Sequence, residues 1–241
     1  MAIPRPYRPI VECFQSTGRS SDFEPSKRLL TVPTAVTATR VPFAVAAARK
    51  VILGEKYATP YAIGMLISDM EGVPARFMDT HFPDLQLGSS EFGARADIGA
   101  DVAASLVLAG AVLLGPKVTK AGKLAVAGVL GKEGTKALWY MAKNKDFKDA
   151  LYEGELPSIN LDIPVDNLGK EAVVEEGIAL VCAVATNDVD NPRGRIILSG
   201  LALAHSGASL VHGEVIRRQY DTIANEQIAS IRAGQQQTLN F

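Results

Sequence analysis

Apolar residues along the chain gather into blocks bounded by charges, glycines and prolines, and those blocks predict helices. The first begins near Leu29 and runs through small and β-branched residues to Arg49-Lys50. Pro33 suits its first turn, where a missing N–H costs nothing, and Pro42 introduces a kink about two turns later. A second helix is predicted from Pro60 to the region of Gly72, where Pro74 limits it. Phe77 to Phe92 mixes Asp79, His81, Pro83, Asp84 and Glu91 with Gly88-Ser89-Ser90 and reads as a loop. A third helix starts at Asp97, carries the uncharged run that begins at Val102, and ends at Gly115-Pro116; Lys117, Lys120 and Lys123 lead into a fourth that reaches Trp139 to Met141. Residues 144–170 are charged, contain Pro157 and Pro164 and lack a helical period, which makes them a polar loop or cap. Two further helices follow, Glu171 to Thr186 and Arg195 to about Tyr220, divided by Asn187 to Pro192.

Strand signals are scarce: aromatic residues make up 6% of the chain, and no alternating run is closed by an Asn-Gly or Asp-Gly turn. The expected class is therefore all-α with six helices. The chain divides into a polar N-terminal arm or amphipathic segment over 1–28, a helical domain over 29–220, and a polar C-terminal tail over 221–241 whose glutamine-rich end frays.

Composition narrows the function classes. With 47% hydrophobic and 21% charged residues, 241 residues can bury a substantial core. A net charge of -1 from 25 basic and 26 acidic residues gives no global basic excess, so nucleic acid is not an expected partner. Cys13 and Cys182 are far apart and lack metal spacing, which points to bystander thiols. The start of the chain lacks the early apolar run of an ordinary signal peptide. A mean hydropathy of +0.12 and apolar runs mostly shorter than a bilayer span leave both a polytopic membrane bundle and a soluble Ala-rich helical protein open.

Candidate chemistry concentrates between Ser68 and Asp101. Ser68 and Glu71 are three residues apart and Asp97 and Asp101 four apart, so on helices each pair shares a face. Carboxylates gathered at two helix ends suit a hard cation such as Mg²⁺ or Mn²⁺ partnered by phosphates, and a carboxylate not fully committed to metal can act as a base. Gly72 and Gly93 let a ligand approach the backbone, and Arg76 offers a planar fork for phosphate. The same spacing is also that of a solvated acidic helix end. Elsewhere, Gly131-Lys132-Glu133-Gly134-Thr135 reads as a helix interruption, with an acceptor-phosphate contact through Lys132 or Lys136 as the lesser alternative. His205, Ser209 and His212 share a helix face and read as core or interfacial groups, and Glu175-Glu176 suits a helix N-terminus.

Glu71-Gly72, Ala75-Arg76, Gly93, Asp97 and Asp101 follow one another in the order of the signature of the CDP-alcohol phosphatidyltransferases, which the chain resembles. The stretch Val32-Pro33-Thr34 through Arg40 is similar to the opening of that family's first helix, so the likeness covers about residues 30–115. The resemblance implies an integral membrane bundle of about six transmembrane helices, with its active site facing the cytoplasm and a divalent metal, Mg²⁺ or Mn²⁺. Its partners would be the lipid bilayer, a CDP-linked alcohol and an acceptor alcohol whose hydroxyl attacks the β-phosphate and releases CMP. It further implies that Glu71 and Asp97 bind metal, that Asp101 is a metal ligand or the base, that Ser68 takes the first ligand position, and that Gly72, Ala75, Arg76 and Gly93 line the CDP site. A homodimer is compatible with the small-residue faces Ala103-Ala104 and Ala109-Gly110-Ala111.

Three departures qualify this expectation. Ser68 stands where the family has aspartate, Glu71 replaces its second aspartate, and 16 residues separate Arg76 from Gly93 where the family has eight or nine. Asp69 is no direct substitute for the missing ligand, because one residue along a helix turns a side chain by about 100°. Basic residues also fall on both sides of the expected layout: Arg40, Arg76, Arg95, Lys145, Lys148 and Arg217 inside, against Arg49, Lys50, Lys56, Lys117, Lys120, Lys123, Arg193 and Arg195 outside. An inactive or repurposed member of the same fold is one alternative to the enzyme, and a soluble helical structural or interaction protein is the other.

Overall fold

The computed structural model describes residues 31–68, 77–78, 81, 85, 91–150 and 167–239. Among them are six helices and no strand: α1 (Val32–Leu53), α2 (Thr59–Ile67), α3 (Glu91–Leu114), α4 (Lys120–Ala150), α5 (Asn167–Asp188) and α6 (Pro192–Leu239). The expected count and class hold, and the differences lie at helix ends. Helix α2 stops at Ile67, with Ser68 as its C-cap, short of the expected Gly72. Helices α3, α4 and α6 run past their expected limits, α4 into the stretch read as a polar loop and α6 through the stretch read as a tail. Packing explains part of this. Beyond Met141 and Tyr220 the two helices still pair, with Lys143 Nζ donating to Asn225 Oδ1 at 2.9 Å, so polar sequence is held helical by a polar interface.

Helix α1 is defined at both ends. Thr31 Oγ1 accepts from the Thr34 amide at 3.4 Å, Pro33 sits in the first turn, and Gly54 closes the helix at φ 63° with the Glu55 amide returning to the Lys50 carbonyl at 2.8 Å. Only a residue free of the Cβ penalty takes that left-handed cap without strain. Pro42 lies inside α1 without ending it. The buried face runs Pro33, Thr37, Arg40, Ala44, Ala47, Val51, the three- and four-residue steps of an inward stripe.

Short turns at 54–58, 115–119 and 189–191 join the helices into three hairpins, α1α2, α3α4 and α5α6. All three turns lie together at one end of the bundle. Asn187 Nδ2 donates to the Glu55 carbonyl at 2.6 Å, Lys56 pairs with Asp190, and the Arg195 guanidinium donates to the Lys117 carbonyl. Asp188 caps α2 from outside its hairpin, accepting from the Ala58 amide at 3.1 Å and from the Thr59 amide and hydroxyl at 2.7 and 2.6 Å. Thr119 caps α4 by accepting from the Gly122 amide at 3.1 Å, and its hydroxyl meets Ser199 Oγ at 2.7 Å.

Between the ends, α1 and α3 run parallel, Arg40 meeting Asp101 at one level and Val51 abutting Gly115 at another. A Cβ on Gly115 would come within 3.0 Å of the Ala111 carbonyl and 2.6 Å of Val51 Cγ1, so the close crossing requires glycine there. The core is built from small residues, Ala44, Ala47, Ala104, Ala111 and Ala183 among them, with Leu108, Val112, Val126 and Val184 filling the space. Ala104, Ala109 and Ala111, which as sequence suggested a surface for a second copy, are buried within the chain.

Because Asp188 satisfies two otherwise orphaned amides at the start of α2, Asp188→Ala should lower stability by about 1–2 kcal/mol. Thermal or denaturant unfolding of the purified chain measures this; an unchanged midpoint would show that the cap is dispensable.

Candidate functional site

About halfway along α1, at the level where α2 ends, the centre of the candidate site is Arg40. Its side chain is 2% exposed, on the inward stripe of α1. One guanidinium nitrogen, Nη2, donates to the Ser68 carbonyl at 2.8 Å, and another, Nη1, pairs with the Asp101 carboxylate. Burying a guanidinium costs several kcal/mol unless charge and hydrogen bonds offset it, and here a carboxylate and a helix C-terminal carbonyl do so together. The planar fork is what allows one side chain to serve two helices at once. Helices α1, α2 and α3 are thereby locked at one level.

Ser68 and Asp101, 33 positions apart in sequence, are thus brought to the same guanidinium. Ser68 is buried, and its hydroxyl donates back to the Met65 carbonyl at 2.6 Å. That hydroxyl is committed to its own helix and does not fit a ligand position. Asp101 is different: its side chain is 42% exposed, and the residue borders a cavity of about 330 Å³. Of the remaining sequence-derived residues, Glu71, Gly72, Ala75 and Arg76 lie outside the described residues. Gly93 and Asp97 belong to the first turns of α3, and the Asp97 side chain is likewise outside the described part. Among the described residues no group of three or more His, Cys, Asp or Glu could hold a metal ion.

The cavity lies between α3 and the α4α5 pair. Its polar wall is Arg40, Asp101, Ser105, Glu133 and Glu176, and its apolar wall includes Leu66, Leu106, Val126, Leu130 and Leu180. Asp101 and Glu133 lie at the level of Arg40, while Ala109 and Val126 lie toward the turns. Apolar residues also stand at the charged level, Leu66, Val102 and Val173 among them, so the space is mainly apolar with a few charged groups set into its wall.

Next to it is a second charged group that sequence reading had not assembled. Lys132 of α4 pairs with Glu176 of α5 and donates to Ser209 Oγ of α6 at 2.9 Å; Ser209 Oγ in turn donates to Glu176 Oε1 at 3.1 Å. Glu133 stands 3.4 Å from the same ammonium, and His205 Nδ1 meets the Glu175 carboxylate. The stretch 131–135, expected to interrupt a helix, is continuous within α4, and Lys132, the lesser candidate for a phosphate contact, is held by carboxylates. Lys136 is exposed, 3.5 Å from Glu133. Glu175 and Glu176, expected at a helix N-terminus, lie two turns inside α5. His205 and Ser209 use the shared helix face to bind two different acids, while His212 Nδ1 is buried without a hydrogen-bond partner among the described residues.

Arg40, which joins Ser68 and Asp101, was missing from the sequence-derived set of site residues. Its signal was present: it is the one charge on an otherwise uncharged stretch from Leu29 to Ala48, in phase with Pro33, Thr37 and Ala44. Comparison with protein-family models, curated proteins and solved structures finds no match for this chain.

Arg40→Met should destabilise the chain by about 2–4 kcal/mol, since it strips a carboxylate and a helix-end carbonyl of their partner. A double-mutant cycle with Asp101→Asn checks the cause. A combined cost well below the sum identifies the ion pair, and simple additivity would locate the loss in packing instead.

Proposed function

We propose that the chain is an integral membrane phosphotransferase of the CDP-alcohol phosphatidyltransferase type. The observation carrying this reading is the contact of Arg40 with both Ser68 and Asp101 beside the cavity. The two stretches that resemble the family, around Val32 to Arg40 and Ser68 to Asp101, meet there through a buried charge. A mainly apolar cavity with charged groups in its wall suits a substrate with a charged diphosphate end and an apolar chain.

A membrane location is supported by where apolar side chains are exposed. Among the described residues one helix is long and apolar enough to cross a bilayer, over Pro192–Glu226, and Gly99–Leu114 is a shorter apolar helix. Exposed large apolar residues lie on other helices too, Val45 and Ile52 on α1, Ile63 and Ile67 on α2, Leu106 and Leu114 on α3. On α6 they extend from Ile196 to Val215, about 29 Å at 1.5 Å per residue, close to the thickness of a hydrocarbon core. A full six-span arrangement would need more than the nine residues of α2, which reach about 14 Å, roughly half a hydrocarbon core.

In this reading Arg40 fixes the position and orientation of Asp101, leaving its half-exposed carboxylate at the cavity edge. Asp101 binds metal or takes the acceptor proton, with Gly72, Ala75, Arg76 and Gly93 around the CDP group. Ser68 does not fit a metal, whereas carboxylates at 71, 97 and 101 form a hard-oxygen set suited to Mg²⁺ or Mn²⁺. A cation held by Glu71, Asp97 and Asp101 would supply neutralisation of the diphosphate and of the leaving CMP.

A second reading rests on the same contact. Asp101 already has a cation in Arg40, and Ser68 has no carboxylate to offer, as expected of a member of the fold that has lost metal-dependent chemistry.

CMP release from a CDP-alcohol by detergent-purified protein separates the two. The enzyme reading requires release that depends on Mg²⁺ or Mn²⁺, stops on chelation, and falls at least about a hundredfold in Asp101→Asn. Metal-independent release, or release surviving that substitution, would remove Asp101 from its assigned role. Absence of both release and Mn²⁺ binding by the wild-type chain selects the second reading.

A further inference from the structure

The turn end of the bundle carries a charge imbalance that the chemistry at Arg40 does not use. Its described segments hold three carboxylates, and all are committed: Glu55 lies 3.5 Å from Lys50, Asp190 pairs with Lys56, and Asp188 caps α2. The hydrogen bond between Lys56 and Asp190 raises the lysine's pKa and lowers the aspartate's. Around them stand Arg49, Lys117, Lys120, Lys123, Arg193 and Arg195, none within ion-pair distance of a carboxylate among the described residues. Lys120 and Lys123 occupy the first turn of α4, and Arg193 and Arg195 that of α6, with no acid in either first turn. Cations at a helix N-terminus oppose the helix dipole, and the three carboxylates of this end, with Asp190 also feeling Lys117 and Arg195, only partly offset the basic side chains gathered there.

Exposed apolar side chains stand beside these cations along the chain at the same end of the bundle. Leu114 precedes the 115–119 turn that contains Lys117, Leu124 follows Lys123, Ile196 and Ile197 follow Arg195, and Leu53 and Tyr57 flank the first turn. A soluble polyanion would leave those apolar groups in water. A lipid surface covers both kinds of group, acyl chains against the leucines and isoleucines and phosphates against the cations.

We propose that the turn end is a binding rim for anionic phospholipid head groups. Its cations neutralise lipid phosphates, and its apolar border marks the depth to which the bundle enters that leaflet. The surplus of basic residues outside the expected family layout thereby acquires a role, whichever orientation the bundle adopts. The rim depends on the chain meeting a bilayer and not on the transferase chemistry.

The test titrates phosphatidylglycerol into full-length protein held in phosphatidylcholine bicelles and reads the thermal midpoint. The midpoint should rise with phosphatidylglycerol, not with additional phosphatidylcholine, and the rise should fade in about 1 M salt. Lys117→Gln, Lys120→Gln and Arg193→Gln change exposed side chains outside the core, and each should weaken the apparent lipid affinity roughly fivefold. Equal midpoints in the two lipids, or a triple variant that responds like wild type, would overturn the rim. A response to a soluble oligonucleotide that matches the response to phosphatidylglycerol would overturn it in favour of a general polyanion surface. CMP release assayed in parallel reports on the transferase reading separately, since none of the three substitutions touches the cavity.

Discussion

A guanidinium with almost no contact with water is the constraint on which the rest of this structure depends. Arg40 can remain charged inside a bundle of alanines and valines only if its donors are met. The Asp101 carboxylate and the Ser68 carbonyl meet two of them. Those partners come from the middle of α3 and the end of α2, so satisfying one side chain sets the relative level of three helices. The turns at one end of the bundle perform the complementary task. Asp188, Asn187 and Thr119 use side chains to satisfy backbone groups of neighbouring hairpins. The small-residue core between the two polar layers lets the helices approach closely but specifies their register only weakly. Register therefore comes from the polar layers.

The second charged layer follows the same logic. Lys132 is held by Glu176 and Ser209, and Glu175 meets His205, so α4, α5 and α6 are joined at the level where Arg40 joins α1, α2 and α3. The cavity lies where these two layers face each other, which explains its polar wall. Its apolar wall is the ordinary inner face of α3, α4 and α5. The mixture of charged and apolar groups around this space is a consequence of helix packing.

Much of the fold was legible along the chain. Pro33, Gly54, Gly115-Pro116 and Asn191-Pro192 mark helix ends or turns that the structure respects, because backbone chemistry at these positions is local. The extensions of α4 and α6 were not legible. Their polar residues look like loop when read singly and become helix because Trp139 and Lys143 bond to Asp221 and Asn225 on the neighbouring helix. The site was legible only in part. Asp101 could be singled out by its four-residue spacing from Asp97, whereas the commitment of Ser68 Oγ to Met65 depends on α2 ending where it does.

By itself the sequence determined the class, the number of helices, the hairpin turns and the region where charge enters an apolar domain. These follow from short-range preferences: apolar blocks of helical length, proline and glycine at their ends, and a scarcity of strand formers. Tertiary structure alone decided that Arg40 belongs with Ser68 and Asp101, that Lys132 is held by acids, and that Ala104 and Ala111 face inward. It also decided that the three turns meet through Asn187 with Glu55, Lys56 with Asp190 and Arg195 with Lys117. Each of these requires residues tens to more than a hundred positions apart to meet, and the partner of a buried charge is chosen by three-dimensional proximity, which no local pattern encodes.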